Sequence, residues 1–192
     1  MAEEFKEKEL VLQAQKNDHR AFEKLMQQYD HQVLSMAYQL TGNTFDAEDI
    51  YQEVMLRVYQ KLDSYRFESK FSTWLYRIVV NCALNFRKQR SRHKHVSMDR
   101  FQDEEKYWQY PSDPTSRSDT RTFDREIREQ ISRTLEKLPL MQRVVFILRF
   151  NEDFKLKDIA RIVGCSTGTV KNHLFRCTQK MRHALSRYNN NY

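Results

Sequence analysis

Two sets of side chains in this chain have the types and spacing to hold nucleic acid. The first is Lys171, Asn172, Phe175 and Arg176, gathered within six residues with no carboxylate among them. A lysine or arginine can give paired hydrogen bonds to a guanine edge, an asparagine can bond an adenine, and a phenylalanine can touch a thymine methyl. The second set is Arg77, Asn81, Asn85 and Lys88, which recur at steps of four, four and three residues. On a helix that spacing makes one row of amides and cations, suited to base edges and phosphates.

Both sets need helices to position them. The run from Leu156 to Arg176 reads as a helix-turn-helix: Ala160 is small where two helices approach, Gly164 allows the turn, and Val170 packs the second helix back on the first. Ser166 is the expected N-cap of that second helix. Val170, Leu174, Cys177 and Met181 then face inward, which turns Lys171, Asn172, Phe175 and Arg176 outward and leaves His173 at the edge. From Phe154 onward Asp158 is the only acid, so phosphates would meet little repulsion. The bland alternative is a helical hairpin with a solvated basic face.

The other row belongs to the stretch Glu68 to Lys88, where Phe71, Leu75, Ile78, Cys82 and Phe86 form an apolar stripe and Ser72 is the expected N-cap. Thr73 extends the polar row at one end; Arg90, Arg92 and Lys94 extend it at the other. Trp74 reads as a core residue because Leu75 and Ile78 flank it, with a stacking platform as the alternative. Before this stretch, Leu10, Val11 and Ala14 and then Ala21, Phe22, Leu25 and Met26 predict two short helices, broken near Asn17 and Asp18, where the aspartate can cap the second. A third helix stops at Gly42. A fourth, from Asp46 to Leu62, buries Ala47, Ile50, Val54 and Val58 and sets Asp46, Asp49, Glu53 and Arg57 on its outer face. That acidic face stands out in a chain of net charge +7.

Composition narrows the class. The 192 residues are 40% hydrophobic, enough for one moderate core or two small ones. Three glycines and three prolines are too few for a many-stranded sheet or a glycine-rich phosphate loop, so an all-α fold is predicted. Between Asp99 and Asp119 six acids stand against three cations, with Pro111 and Pro114, which reads as a linker carrying the aromatic cluster Tyr107, Trp108 and Tyr110. The expected organisation is two small helical domains, 1–95 and 122–192, joined by a flexible acidic linker over 96–121. The tail Asn189, Asn190 and Asn191 is expected to be disordered. Three widely spaced cysteines, Cys82, Cys165 and Cys177, argue against a disulfide framework. The first residues lack the apolar core of a secretory signal and no apolar run is long enough to span a bilayer, so a soluble cytoplasmic protein without membrane insertion is expected.

The run Asp46-Ala47-Glu48-Asp49-Ile50-Tyr51-Gln52-Glu53-Val54, then Phe71 to Asn81, then Gly168-Thr169-Val170-Lys171, closely resembles bacterial RNA polymerase sigma factors of the extracytoplasmic-function (ECF) type, in the sigma-70 family. The resemblance covers almost the whole chain and rests on three motifs in the right order. It implies a first domain, sigma region 2, that binds core polymerase and melts the -10 element, and a last domain, sigma region 4, that reads the -35 element in duplex form. By this resemblance Asp46, Asp49, Gln52 and Glu53 would contact the clamp helices of the largest polymerase subunit, and the flap of the second-largest subunit would be a further partner. Tyr65, Phe67, Ser69 and Phe71 would form the base-capturing loop, with Arg77, Asn81, Asn85 and Lys88 along the melted strand. Thr169, Lys171, Asn172, Phe175 and Arg176 would meet the -35 duplex. An anti-sigma factor is an implied partner, and the linker would thread the RNA-exit path. Two departures touch the fine DNA preference: Asn151-Glu152-Asp153 lacks a glycine common at that turn, and Cys177-Thr178 stands where a small residue and an arginine are usual.

On this reading the chain is no enzyme and needs no cofactor or metal. A nuclease using Asp46, Asp49 and Glu53 as metal ligands is disfavoured, because these carboxylates lie on one regular helix with no histidine near them. The alternative of a different class is a helix-turn-helix regulator that never becomes a polymerase subunit, which would explain the second domain only.

Overall fold

The computed structural model describes the backbone of residues 2–94 and 118–191, with side chains for 5–90 and 125–188. Every regular element among the described residues is helical. Most of the 96–121 linker, with Tyr107, Trp108 and Tyr110, lies outside them, as do the side chains of Arg92 and Lys94.

Helix α1 spans Ala2–Ala14 and is followed by a turn in which Asn17 takes φ +65°. Asp18 then caps α2, His19–Gln27, accepting the Arg20 and Ala21 amides at 2.9 and 3.1 Å. A carboxylate there satisfies donors that a helix start leaves open. Helix α3, Asp30–Thr41, ends at Gly42, whose φ of +73° suits a residue without Cβ. Helix α4 is Thr44–Lys61, and α5 is Phe71–Lys94. A 3-10 turn, Leu62–Ser64, opens the loop between these last two.

The core of this first unit draws on Val11, Leu25, Val33, Met36, Ile50, Val54, Val58, Leu75 and Val79, all fully buried. Burying such a side chain contributes roughly 1.5 to 3 kcal/mol. Helix α5 is buried over more of its circumference than its apolar stripe predicts: Tyr76, Val79, Val80 and Ala83 are withdrawn along with Phe71, Leu75, Ile78 and Cys82. Thr73, expected in the exposed row, is buried too. Ser72 is not the cap. The helix starts at Phe71, two residues before the start that a Ser72 cap would give, and the Trp74 amide donates to the Lys70 carbonyl at 3.2 Å.

The second unit begins with α6, Ser118–Glu136, which starts inside the stretch read as linker. Pro139 precedes α7, Leu140–Phe150, and its carbonyl accepts the Arg143 amide at 3.1 Å. Helices α8, Leu156–Val163, and α9, Thr167–Leu185, complete the unit. A 3-10 helix, Ser186–Asn191, follows α9 and takes in the asparagine tail. Leu135 and Leu138 pack with Phe146, Cys177 and Met181 in one cluster. Helix α7 is buried on all sides from Gln142 to Leu148, and the Arg143 guanidinium donates to the Glu136 carbonyl. In the turn that follows, Asp153 takes φ +48°, the left-handed conformation that the missing glycine would adopt at no cost. Arg149 steadies it, bonding the Asp153 carboxylate at 3.3 Å and the Phe154 carbonyl at 3.1 Å.

Burial pushes the Cys82 thiol up to about 11 and the Tyr51 and Tyr65 phenols up to about 12. Tyr29 is raised further by burial and by its hydrogen bond to Glu7. The protonated forms are the folded forms, so their contribution is complete below the unfolded values, about 8.5 for thiol and about 10 for phenol, and is lost as pH rises through the folded ones. The melting midpoint of the first unit is therefore expected to fall steadily from about pH 9 to pH 12. A midpoint that holds or rises over that range in a calorimetric series would contradict this burial.

Candidate nucleic-acid interfaces

The turn before α9 is built from local chemistry. Gly164 takes φ +70°, the Cys165 amide donates back to the Ala160 carbonyl at 3.0 Å, and the Ser166 hydroxyl accepts the Thr169 amide at 3.1 Å. The Thr169 hydroxyl also lies 2.9 Å from that of Ser166, so Thr169 is exposed but shapes the helix start. Val170 and Cys177 are buried and Leu174 partly so. This turns Lys171, Asn172, Phe175 and Arg176 to solvent together, with Phe175 60% exposed. No acid occurs on α9, and the helix-start amides add positive potential at the same end. The second departure from the family pattern, Cys177-Thr178, stands off this row: Cys177 is buried, and the Thr178 hydroxyl donates to the Leu174 carbonyl of its own helix at 2.8 Å. They leave the exposed row intact.

Helix α5 also lacks any acid. Arg77, Asn81, Asn85 and Lys88 are all exposed, Arg77 and Asn81 standing between buried neighbours. Next to its start lies the loop 62–70, an aromatic assembly. Tyr65 sits 4.8 Å from Phe67, 5.3 Å from Trp74 and 5.7 Å from Phe71, ring centre to ring centre. Phe71 is 1% exposed and Tyr65 is buried with it, so neither presents a face to a base here. They carry the loop, and the Tyr65 hydroxyl donates to the Ser69 carbonyl at 2.6 Å. Phe67 is the aromatic that reaches solvent, and it does so at φ +58°, a conformation costing of order 1 to 3 kcal/mol for such a residue. Ser69 is partly buried. Trp74 falls between its two readings: half-buried, it packs at a tilt against Tyr65 and Phe71 with one part open.

On α4 the expected acids separate into three situations. Asp46 is only 16% exposed and forms an ion pair with Arg90 of α5. Glu53 pairs with Arg57 one turn on at 2.5 Å. Asp49 and Gln52 stand in solvent. Two side chains absent from the sequence expectation flank them: Phe45 is 74% and Leu56 51% exposed. Phe45, Asp49, Gln52 and Leu56 follow steps of four, three and four, one stripe of mixed character on one helix face. That repeat is the signal by which they could have been found. Large apolar side chains in solvent beside acids mark a protein-binding face better than acids alone.

A cleft beside the ends of α6 and α9 gathers Lys137, Lys180, His183 and Arg187. Cations at helix carboxyl ends complement the helix dipoles, which accounts for them. Among the described residues no group of three His, Cys, Asp or Glu side chains is placed to hold a metal, and no helix is long and apolar enough to cross a membrane.

Residues 25–93 match the family model for sigma-70 region 2, and residues 128–181 match that for sigma-70, region 4. The ECF RNA polymerase sigma-E factor of Escherichia coli (strain K12) is 33% identical over 180 residues, which cover 93% of this chain and 94% of that relative. The RNA polymerase sigma-H factor of Pseudomonas aeruginosa is 32% identical over 180 residues, covering 93% of each. Among solved structures, the sigma factor RpoE in complex with the anti-sigma factor NepR from Bartonella quintana superposes with a TM-score of 0.70 at 24% identity, over 86% of this chain and 96% of that one. CnrH in complex with the cytosolic domain of CnrY gives a TM-score of 0.66 at 20% identity, over 95% and 98%. These two likenesses show a shared fold. Two family models matched in order, and relatives about a third identical along nearly the whole length, lead to one conclusion: the chain belongs to the extracytoplasmic-function family of RNA polymerase sigma factors.

Proposed function

We propose that this chain gives core RNA polymerase its choice of promoter, binding duplex DNA with one unit and a melted strand with the other. The observation that carries this is that each unit owns a helix without a single acid, α5 in the first and α9 in the second, and each exposes a row of amide and cationic side chains. Helix α9 fits the major groove: Lys171, Asn172 and Arg176 reach base edges, Phe175 meets a thymine methyl, and Thr169 shapes the amino end that approaches a phosphate. This is the -35 reading. Helix α5 lies along the non-template strand of the -10 element, with Arg77 and Lys88 on phosphates and Asn81 and Asn85 on bases. Phe67 stacks with an unpaired base, while Tyr65, Ser69 and Phe71 shape the loop that presents it.

Core polymerase docks on α4, at Phe45, Asp49, Gln52 and Leu56, with Glu53 beside them. Asp46 acts there through its pairing with Arg90 rather than by touching the partner. The same stripe is the natural target of an anti-sigma factor, since the partner that covers it excludes polymerase. The clamp helices of the largest subunit are its occupant in the active complex, and the flap of the second-largest subunit meets the second unit. The chain works as a binding factor without catalysis of its own, in the cytoplasm where polymerase and DNA meet. The regulator that never joins polymerase leaves the exposed stripe of α4 and the strip of α5 without a use.

Runoff transcription with core polymerase on a randomised promoter library tests this reading, and no transcript above core alone would end it. Phe45→Asp is expected to weaken core binding about tenfold or more while leaving duplex binding by the second unit unchanged, as measured by fluorescence anisotropy. Equal core affinity in the variant removes α4 from the interface. Arg176→Ala is expected to cost about 1 to 3 kcal/mol at a single upstream base pair and to relax its identity. Uniform weakening across all sequences would instead assign Arg176 to a phosphate. Asn85→Ala is expected to leave duplex binding intact and reduce permanganate reactivity of the promoter bubble.

A further inference from the structure

The side chain that holds the loop 62–70 in shape comes from far away in sequence. The Gln15 carboxamide nitrogen donates to the Leu62 carbonyl and to the Tyr65 carbonyl, each at 2.9 Å. These are the carbonyls of the first residue of the 3-10 turn and of the residue that follows it, and the Leu62 carbonyl already accepts the Tyr65 amide at 3.0 Å. One amide group, with two N–H donors, thus closes the entry of the loop. Its exit is closed by the Tyr65 hydroxyl on the Ser69 carbonyl. Between these two ties Phe67 is held at its positive φ.

Two more contacts come from the same amino-terminal segment. Lys8 places its ammonium 5.6 Å from the centre of the Phe67 ring. Glu7 accepts the Tyr29 hydroxyl, and the Tyr29 ring lies 5.5 Å from Phe71. All three residues precede residue 25, where the match to the region 2 family model begins. Helix α1 packs on α2 through Val11 and Ala14, which would serve for stability alone. Donating both protons of one amide to two loop carbonyls is a different arrangement, because it fixes a geometry rather than covering a surface.

We propose that Gln15 is a positioning residue for strand capture, setting the loop so that Phe67 meets the unpaired base in one orientation. This rests on the reading of the loop as the base-capturing element. The ammonium of Lys8 covers the Phe67 ring in the free protein, and an arriving base takes that face of the ring while the cation moves to the neighbouring phosphate.

The test is a double-mutant cycle between protein and DNA. The full chain, bound to core polymerase, is titrated with a promoter fork whose non-template strand carries an abasic site at each downstream-element position in turn. In the unaltered protein one abasic position is expected to weaken binding about tenfold. Gln15→Leu is expected to bind the intact fork about tenfold more weakly, with core affinity unchanged, and to lose little more at that abasic position. If the two losses multiply, or if Gln15→Leu binds the intact fork as the unaltered protein does, Gln15 does not act through base capture and the proposal fails. If no abasic position weakens the unaltered protein, the base-capturing reading fails and the proposal with it. Should Gln15→Leu melt below the assay temperature, Gln15→Asn carries the same comparison, since it keeps an amide that is one methylene too short to reach both carbonyls.

Discussion

A helix buried over most of its circumference can offer solvent only a narrow strip, and α5 is such a helix. Leu75, Tyr76, Ile78, Val79, Val80, Cys82 and Ala83 are all withdrawn, and Arg77, Asn81 and Asn85 emerge between them. Because successive residues on a helix are about 100° apart, the strip cannot turn without dragging the buried side chains out of their packing. The core therefore sets the direction in which the strip points. Folding thus orients the strip in advance, which removes the entropy of finding that orientation from any binding event on it.

The loop before α5 faces the opposite difficulty, since a short irregular segment has no ladder of its own to hold it. It is held from three sides instead: the Tyr65 hydroxyl on the Ser69 carbonyl, the Gln15 amide on Leu62 and Tyr65, and the ring contacts with Phe71 and Trp74. These contacts offset the backbone strain at Phe67 and leave one ring partly in solvent. The Asp46 and Arg90 pair does related work at the far end, tying the start of α4 to the last described side chains of α5.

The second unit relies on shorter-range chemistry. Gly164 turns the chain and Ser166 caps α9, while Val170 returns it to α8, all within a few residues. Where the family commonly has a glycine, Asp153 takes the same left-handed conformation, with Arg149 bonding both its carboxylate and the next carbonyl. An arginine one turn back thus supports what a glycine would do unaided.

What could be read in the sequence was whatever depends on neighbours along the chain. Apolar periodicity placed the helices, Asp18 and Ser166 marked two helix starts, and Gly42 and Gly164 marked two turns, because caps and turns involve contacts only a few residues apart. The outward set on α9 was legible for the same reason, once Val170 and Cys177 were assigned inward. Periodicity shows that a helix has an apolar side, but not how many neighbours surround it, so Thr73 was expected nearer to solvent than it lies. Nor does it show which distant partner answers a polar group. Asp46 meets Arg90 and Gln15 meets Leu62 and Tyr65 only because packing brings α4 to α5 and the end of α1 to the loop, and Phe45 and Leu56 remain open because no described residue of the first unit covers that face of α4.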